Sequence, residues 1–391
     1  MKQLFCPDAG RLKRIILFAL AISIAVFGGA IAIDPTLRKI VFYNCGDIDD
    51  YKIFPNRRLQ ASPKPFQFRE AIDPSRLPRF VRIKENRKIP LNQFLQSTNT
   101  IAFLAIKDDV LIYEKYFDGR TSNSISMSFS VTKAIFSALV GIAIEEGVIR
   151  SLEQPITDYI PELADRGFKQ VKLKHLLQMT SGTTYADRGL LDNPFGKQAR
   201  LSYTDNIEKE LLSLRLKQQP GTTFLYKSVD NALLALVLDR ALSPLTISDY
   251  MQEKIWTPLG MESDALWSID RSPDGLEKTW CCISATARDL AKFGRLYLYG
   301  GNWNGTTIVP HDWVIQSTRI DTTEGSLPHY QYGWWLMSEI YGDFRAEGVR
   351  GQFIYINPDR KIIIVRLGND RGGLSWLEWK ELLTDIAEGI T

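Results

Sequence analysis

A chain of 391 residues that is 45% hydrophobic has ample material for a sizeable core, which excludes a disordered or fibrous protein. Its 48 Lys and Arg nearly balance 45 Asp and Glu, a net charge of +3, so the chain lacks the electrostatic footprint of a nucleic-acid binder. Four Cys and three His, without a Cys-x-x-Cys or a His cluster, are too few to staple a fold of this size and form no zinc motif; neither a metal nor an organic cofactor is expected.

The first element is Ile15 to Ile33, nineteen residues without a charge and long enough to cross a bilayer as a helix. Lys2, Arg11, Lys13 and Arg14 precede it, and Asp34, Asp47, Asp49 and Asp50 dominate the far side. The positive-inside rule then predicts a cytoplasmic segment 1–14, a single-pass anchor 15–33 in the cell (inner) membrane, and the remainder on the exported side. A cleaved signal peptide is the alternative, because Ala30-Ile31-Ala32 offers the small residues a signal peptidase reads. Residues 34–90, rich in Pro and poorly periodic, read as an exported tether lying on the surface of the domain that follows.

From Leu91 to Thr391 the patterning is that of one folded domain. Thr100 to Ile106 and Val110 to Phe117 flank Lys107-Asp108-Asp109 and predict a β-hairpin. Residues 130–146 are apolar on nearly every face and stop at Gly147, which predicts a helix buried all round. A helix-rich insertion is expected over about 150–300. Tyr332 to Met337, Gln352 to Asn357 and Lys361 to Leu367 then read as strands, and a last helix starts near Trp376. Strands at both ends around a helical middle predict an α+β fold, an antiparallel sheet built from both ends of the domain with helices packed on it.

The buried helix opens with Ser130-Val131-Thr132-Lys133, the one Ser-x-x-Lys of the chain. Positions i and i+3 share a helix face, so the hydroxyl and the amine can touch. A serine needs a base beside it to become a nucleophile, and a lysine serves when burial and the positive end of a helix dipole disfavour its ammonium form. The competing reading is a capping serine beside a snorkelling lysine. Farther on, Gln219-Pro220-Gly221 makes a turn, followed by Tyr226-Lys227-Ser228, Asp230 and a helical run from Asn231. Asp230 reads as a helix cap and His175 as a hydrogen-bonding structural residue. His311 reads as a solvated turn residue, and Cys281 and Cys282 as packed thiols. Of Trp334 and Trp335, one is expected in the core and the other at a pocket wall.

Ser130-x-x-Lys133 and Tyr226-x-Ser228 resemble the first two motifs of the serine β-lactamase and penicillin-binding-protein superfamily. His175-Leu176-Leu177-Gln178-Met179-Thr180-Ser181-Gly182 and Ser284-Ala285-Thr286-Ala287-Arg288-Asp289-Leu290-Ala291 are similar to accompanying phrases, and the resemblance runs from about 95 to 391. It is nearest the class C-like branch that includes esterases and nylon-oligomer hydrolases. The resemblance implies a β-lactamase/transpeptidase-like α/β sandwich with a helical subdomain. It implies Ser130 as nucleophile, Lys133 and Tyr226 as proton carriers, and Ser228 as a substrate-binding residue, while of the two tryptophans Trp335 is the one expected at the pocket wall. The third motif departs from the pattern. Ala346-Glu347-Gly348-Val349-Arg350-Gly351-Gln352 has a glycine at the family position, Gly348, but no lysine, with Arg350 as a possible substitute. By the same resemblance, the N–H groups of Ser130 and Val349 would hold an oxyanion. The implied substrate is a small ester, amide or peptide. The alternatives are a D,D-peptidase or β-lactamase acting on cell-wall-type substrates, or a catalytically silent binding protein tethered to the membrane.

Overall fold

The structure is a computed structural model that describes residues 33–43, 46–83, 87–183, 185, 196–337 and 342–391. The apolar run Ile15–Ile33 lies outside the described residues except for Ile33. Among the described residues no helix is long and apolar enough to cross a membrane. The chain forms two compact units, one of residues 1–46 with 188–205 and one of 47–187 with 206–391. In the first, helices Pro35–Tyr43 and Lys197–Tyr203 are joined by an Arg200–Asp34 ion pair at 3.2 Å and by the Tyr203 hydroxyl donating to the Tyr43 carbonyl.

The second unit is built on an eight-stranded sheet. In chain order its strands are β1 (Arg69–Glu70), β2 (Thr100–Lys107), β3 (Val110–Tyr116), β4 (Tyr330–Gln331), β5 (Trp334–Leu336), β6 (Phe344–Gly348), β7 (Gln352–Asn357) and β8 (Ile362–Gly368). They lie in the order β4-β5-β6-β7-β8-β2-β3-β1. The predicted hairpin is β2–β3, and the sheet does join segments from both ends of the domain. One pairing corrects the antiparallel expectation. β1 runs parallel to β3, because it arrives from the stretch read as a tether rather than through a hairpin.

Four helices matter for the site: α1 (Val131–Glu145), α2 (Ser228–Leu242), α3 (Ala287–Leu298) and α4 (Trp376–Glu388). Side chains alternate across a strand, and each face of the sheet takes a different helix. Ile354, Ile356 and Ile363 meet α3 at Gly294. Phe353, Tyr355, Ile362 and Ile364 share the opposite cluster with Trp379, Leu383 and Ile386 of α4. Helix α1 is buried from Val131 to Ala143, as an apolar run without a polar stripe requires, and ends at a left-handed Gly147.

The insertion over 150–300 is not purely helical. Ala265–Ser268 and Ile283–Ala285 pair with Asn56–Leu59 and Ser126–Met127 in a separate four-stranded sheet. Strands of two to four residues drawn from distant segments carry too little alternation to be read from sequence. Cys281 and Cys282 are also a correction. They are joined by a disulfide rather than packed as thiols, with Cys282 in the left-handed region (φ 83°), which brings two successive side chains together.

Candidate active site

Ser130 sits where the short strand Ser126–Met127 turns into α1. Phe129 takes φ 48°, a left-handed conformation that costs a non-glycine residue about 1–2 kcal/mol and persists only where surroundings enforce it. Here Ser128 supplies the restraint, its hydroxyl donating to the Ile283 carbonyl at 2.8 Å and lying 3.0 Å from Thr132 Oγ1. Ser130 occupies the cap position of α1 but makes no side-chain cap hydrogen bond. Its hydroxyl instead lies 2.8 Å from Lys133 Nζ. The N–H of Ser130 has no hydrogen-bond acceptor among the described residues.

Lys133 is almost fully buried. Its Nζ also donates to the Trp280 carbonyl at 2.9 Å and lies 3.4 Å from Ser228 Oγ, at the first residue of α2. The Tyr226 ring centre is 5.0 Å from the same nitrogen. Tyr226 forms an aromatic wall with Trp335 (5.7 Å) and Tyr330 (5.7 Å), and the latter two rings are 5.0 Å apart. Trp334 is the core tryptophan and Trp335 the half-buried one, the division that strand alternation requires. Ser130, Lys133, Tyr226, Ser228 and Trp335 thus converge from the start of α1, the turn before α2, the first residue of α2 and β5.

Behind Tyr226 lies a buried polar cluster. Lys227 Nζ is 3.6 Å from the Asp230 carboxylate, and both side chains are inaccessible. Asp230 accepts from Ser181 Oγ at 2.6 Å and Thr183 Oγ1 at 3.4 Å, while Lys227 donates to the Thr183 carbonyl at 3.4 Å. Asp230 therefore ties α2 to the Thr180–Thr183 segment rather than capping its own helix, which corrects the cap reading. Burial pushes its carboxyl up to about 6, against the opposing pull of Lys227 and the Ser181 hydroxyl. His175 is a structural residue, as expected. Its Nδ1 accepts the Lys172 N–H at 3.2 Å, and burial, with Lys174 and Lys172 nearby, pushes its pKa down to about 4. His311 opens the helix His311–Thr318, with Nδ1 3.0 Å from the Gly300 carbonyl.

The opposite side of Ser130 is the end of β6. A Cβ on Gly348 would overlap the Ser128 carbonyl and stand 3.1 Å from the Ser130 nitrogen, so only glycine permits this approach. Ala346 shares that face by strand alternation, while Glu347 points away and pairs with Arg345 at 2.6 Å. Val349, the residue after Gly348, is exposed. Arg350 has φ 65°, and its guanidinium donates to the Asn369 carbonyl at 2.6 Å and lies 3.9 Å from Asp47. Sequence reasoning missed the Trp280 carbonyl, Tyr330 and the Lys227–Asp230 pair. The Trp280 carbonyl and Tyr330 reach the site through tertiary contacts that no local spacing announces, whereas Lys227 and Asp230 stand at i and i+3 and are buried only by the fold.

Comparison with known proteins gives the family and the fold. Residues 91–387 match the model of the Beta-lactamase family. The chain is similar to 6-aminohexanoate-dimer hydrolase of Paenarthrobacter ureafaciens, 28% identical over 298 residues that make up 71% of this chain and 75% of that protein. Among solved structures it resembles a protein of Bacillus anthracis assigned as a 6-aminohexanoate-dimer hydrolase, with a TM-score of 0.78 at 24% identity over 89% of this chain and 94% of that one. It also resembles a family VIII carboxylesterase, with a TM-score of 0.60 at 17% identity over 76% and 95% of the two chains. The likeness to the solved structures is one of fold; the family match extends from before the Thr100 strand into α4. The chain belongs to the Beta-lactamase family, and is a hydrolase of the serine type.

Proposed function

We propose that this protein cleaves a small ester or amide through an acyl-enzyme on Ser130. The observation that carries the reading is the 2.8 Å contact between Lys133 Nζ and a Ser130 hydroxyl that caps nothing. A neutral lysine has two N–H donors and one lone pair. With donors directed to the Trp280 carbonyl and Ser228, a neutral amine 2.8 Å from Ser130 Oγ is placed to take the Ser130 proton. Ser130 Oγ then attacks the substrate carbonyl as Lys133 takes that proton, and the oxyanion forms against the N–H groups of Ser130 and Val349. The proton passes through Tyr226 to the departing alkoxide or amine as the acyl C–O or C–N bond breaks. Water adds to the acyl-enzyme with Lys133 or Tyr226 as base, and Ser130 regains its proton as the acid leaves.

Substrate class follows from the wall beside the nucleophile. Ala346 presents a methyl group where relatives with an intact third motif present a lysine, and Arg350 is engaged by Asn369. Burying a carboxylate without a counter-charge costs several kcal/mol, so neutral esters and amides are favoured over anionic β-lactams. Trp335, Tyr330 and Tyr226 offer an apolar surface to such substrates. Location is a separate part of the proposal. The charge asymmetry around Ile15–Ile33 supports a single-pass anchor in the cell membrane, with segment 1–14 inside and the hydrolase outside.

The test is turnover of a short-chain aryl ester by the full chain and by Ser130→Ala. We expect a loss of about a thousandfold or more in the variant, and near-normal turnover would refute the assignment. On the same preparation kcat/KM for the ester should exceed that for a cephalosporin; the reverse order would reinstate the cell-wall reading. A reporter fused after Thr391 should be active only outside the cytoplasm.

A further inference from the structure

Arg366 of β8 is fully buried, and among the described residues no carboxylate lies within ion-pair distance of its guanidinium. It belongs to the α4 face of the sheet, with the Trp379 ring centre 4.5 Å from its guanidinium carbon. A buried cation normally demands a counter-charge. Here backbone dipoles take that place. Arg366 donates to the carbonyls of Thr98 (2.5 Å), Gly351 (2.6 Å), Asp370 (2.9 Å) and Arg350 (3.2 Å), and to Thr100 Oγ1 (3.1 Å). The space for it is made by two glycines, since a Cβ at Gly351 or Gly368 would collide with the guanidinium. Burial pushes its pKa down to about 9, which leaves it a cation at neutral pH.

Two of those carbonyls belong to the turn that follows Gly348. Its residues Arg350 (φ 65°) and Gly351 (φ 79°) are both left-handed, a conformation that a lone surface turn would not keep without restraint. Gln352 completes the brace, its amide donating to the carbonyls of Gly368 (2.7 Å) and Val349 (3.3 Å). We propose that Arg366 is a positioning residue for catalysis: from inside the sheet it holds the Val349–Gly351 turn so that the Val349 N–H meets the oxyanion formed at Ser130. The inference rests on the acyl-enzyme reading above. Lysine cannot replace the arginine, because a single ammonium does not reach four carbonyls in a planar fork.

The experiment compares Arg366→Lys, Arg366→Gln and Gly368→Ala with the unaltered full chain. Three readouts are taken: kcat and KM for an aryl ester, Ki for an aryl boronic acid that forms a tetrahedral adduct with the serine, and Tm. Loss of an aligned oxyanion donor costs about a hundredfold or more, so misaligning one should lower kcat by about tenfold to a hundredfold, with KM changed by less than about threefold. The boronate Ki should rise by the same factor as kcat/KM falls. Arg366→Gln combined with Gly368→Ala should be no slower than Arg366→Gln alone, since the methyl group no longer meets a guanidinium. Where Arg366→Gln does not fold, Arg366→Lys and Gly368→Ala decide the matter. Unaltered kcat and Ki in these variants, with only Tm lowered, would overturn the positioning role and leave the serine mechanism intact. Full activity in Ser130→Ala would overturn both.

Discussion

On one side of Ser130 the turn that presents Tyr226 is fixed by a buried ion pair, Lys227 with Asp230 at 3.6 Å. On the other side the Gly348–Gly351 turn is fixed by a guanidinium that bonds to backbone carbonyls. The two arrangements answer the same demand, that a short irregular segment stay in place to within a fraction of an ångström. They differ in what they leave exposed to pH. The ion pair depends on a carboxyl raised to about 6 and is packed near a histidine lowered to about 4, so acid reaches this wall first. Burial lowers the guanidinium's pKa, yet the cation on carbonyls keeps its charge at neutral and acid pH. Geometry is also divided differently. The Tyr226 wall is held by side chains that bond to one another, and the Gly348 wall by side chains that bond to backbone in the space glycines leave open.

The largest expected effect breaks the second wall. In Gly348→Ala the new Cβ would overlap the Ser128 carbonyl, which is backbone and cannot rotate aside. Either β6 or the Ser128–Ser130 turn must shift. A displacement of about 1 Å at a reacting group costs on the order of a hundredfold in rate, and overpacking adds about 1–3 kcal/mol of instability. Ester turnover at a temperature where the variant is folded measures the first, and chemical denaturation the second. Wild-type turnover would mean that β6 does not border the reacting group.

The contrast between the walls also separates what was legible in the sequence from what was not. Ser130 and Lys133 could be paired because three residues on a helix is a local relation, and the helix itself was plain from its unbroken apolar run. Tyr226 and Ser228 followed once the motif was seen. Arg366 was invisible. In Ile362-Ile363-Ile364-Val365-Arg366-Leu367-Gly368 a charged residue near a strand end reads as an exposed edge, and nothing local marks Gly351 and Gly368 as the space made for it. Lys227 stands three residues before Asp230, a local relation, but that both are buried is set only by the fold. Buried charges satisfied by distant backbone leave no periodic trace.

A second test weakens the first wall. Lys227→Met leaves the Asp230 carboxylate buried without its counter-charge, at a cost of about 3 kcal/mol when ionised. The sign with pH is fixed by the carboxyl. Its folded pKa, about 6, lies above the usual value of 3.8 and rises further without Lys227. Protonation below that value relieves the burden, so the variant should be most destabilised near pH 8 and approach the unaltered protein near pH 5. Urea denaturation at the two pH values measures the difference. A deficit that is constant with pH would show that the pair does not couple charge at this wall.

The smallest effect concerns His175, and its sign opposes that of Asp230. The folded pKa of about 4 lies below the usual 6.5, because burial, and then Lys174 and Lys172, disfavour the imidazolium. A neutral ring is also what accepts the Lys172 N–H at 3.2 Å. Between pH 6.5 and 4 the unfolded chain therefore binds a proton at this residue that the folded chain refuses, and stability is lost as pH falls through that window. Asp230 does the reverse between 6 and 3.8, so the two contributions oppose each other in the unaltered protein. His175→Gln separates them. At pH 7 it should cost about 1 kcal/mol, the worth of the hydrogen bond it disturbs. At pH 5 the histidine penalty of about 1–2 kcal/mol has gone, and the variant should equal or exceed the unaltered protein. The measurement is the difference in unfolding free energy between the two proteins at pH 7 and pH 5. A difference that does not move with pH would place His175 in water in the folded protein, and the wall that presents Tyr226 would then owe its acid sensitivity to Asp230 alone.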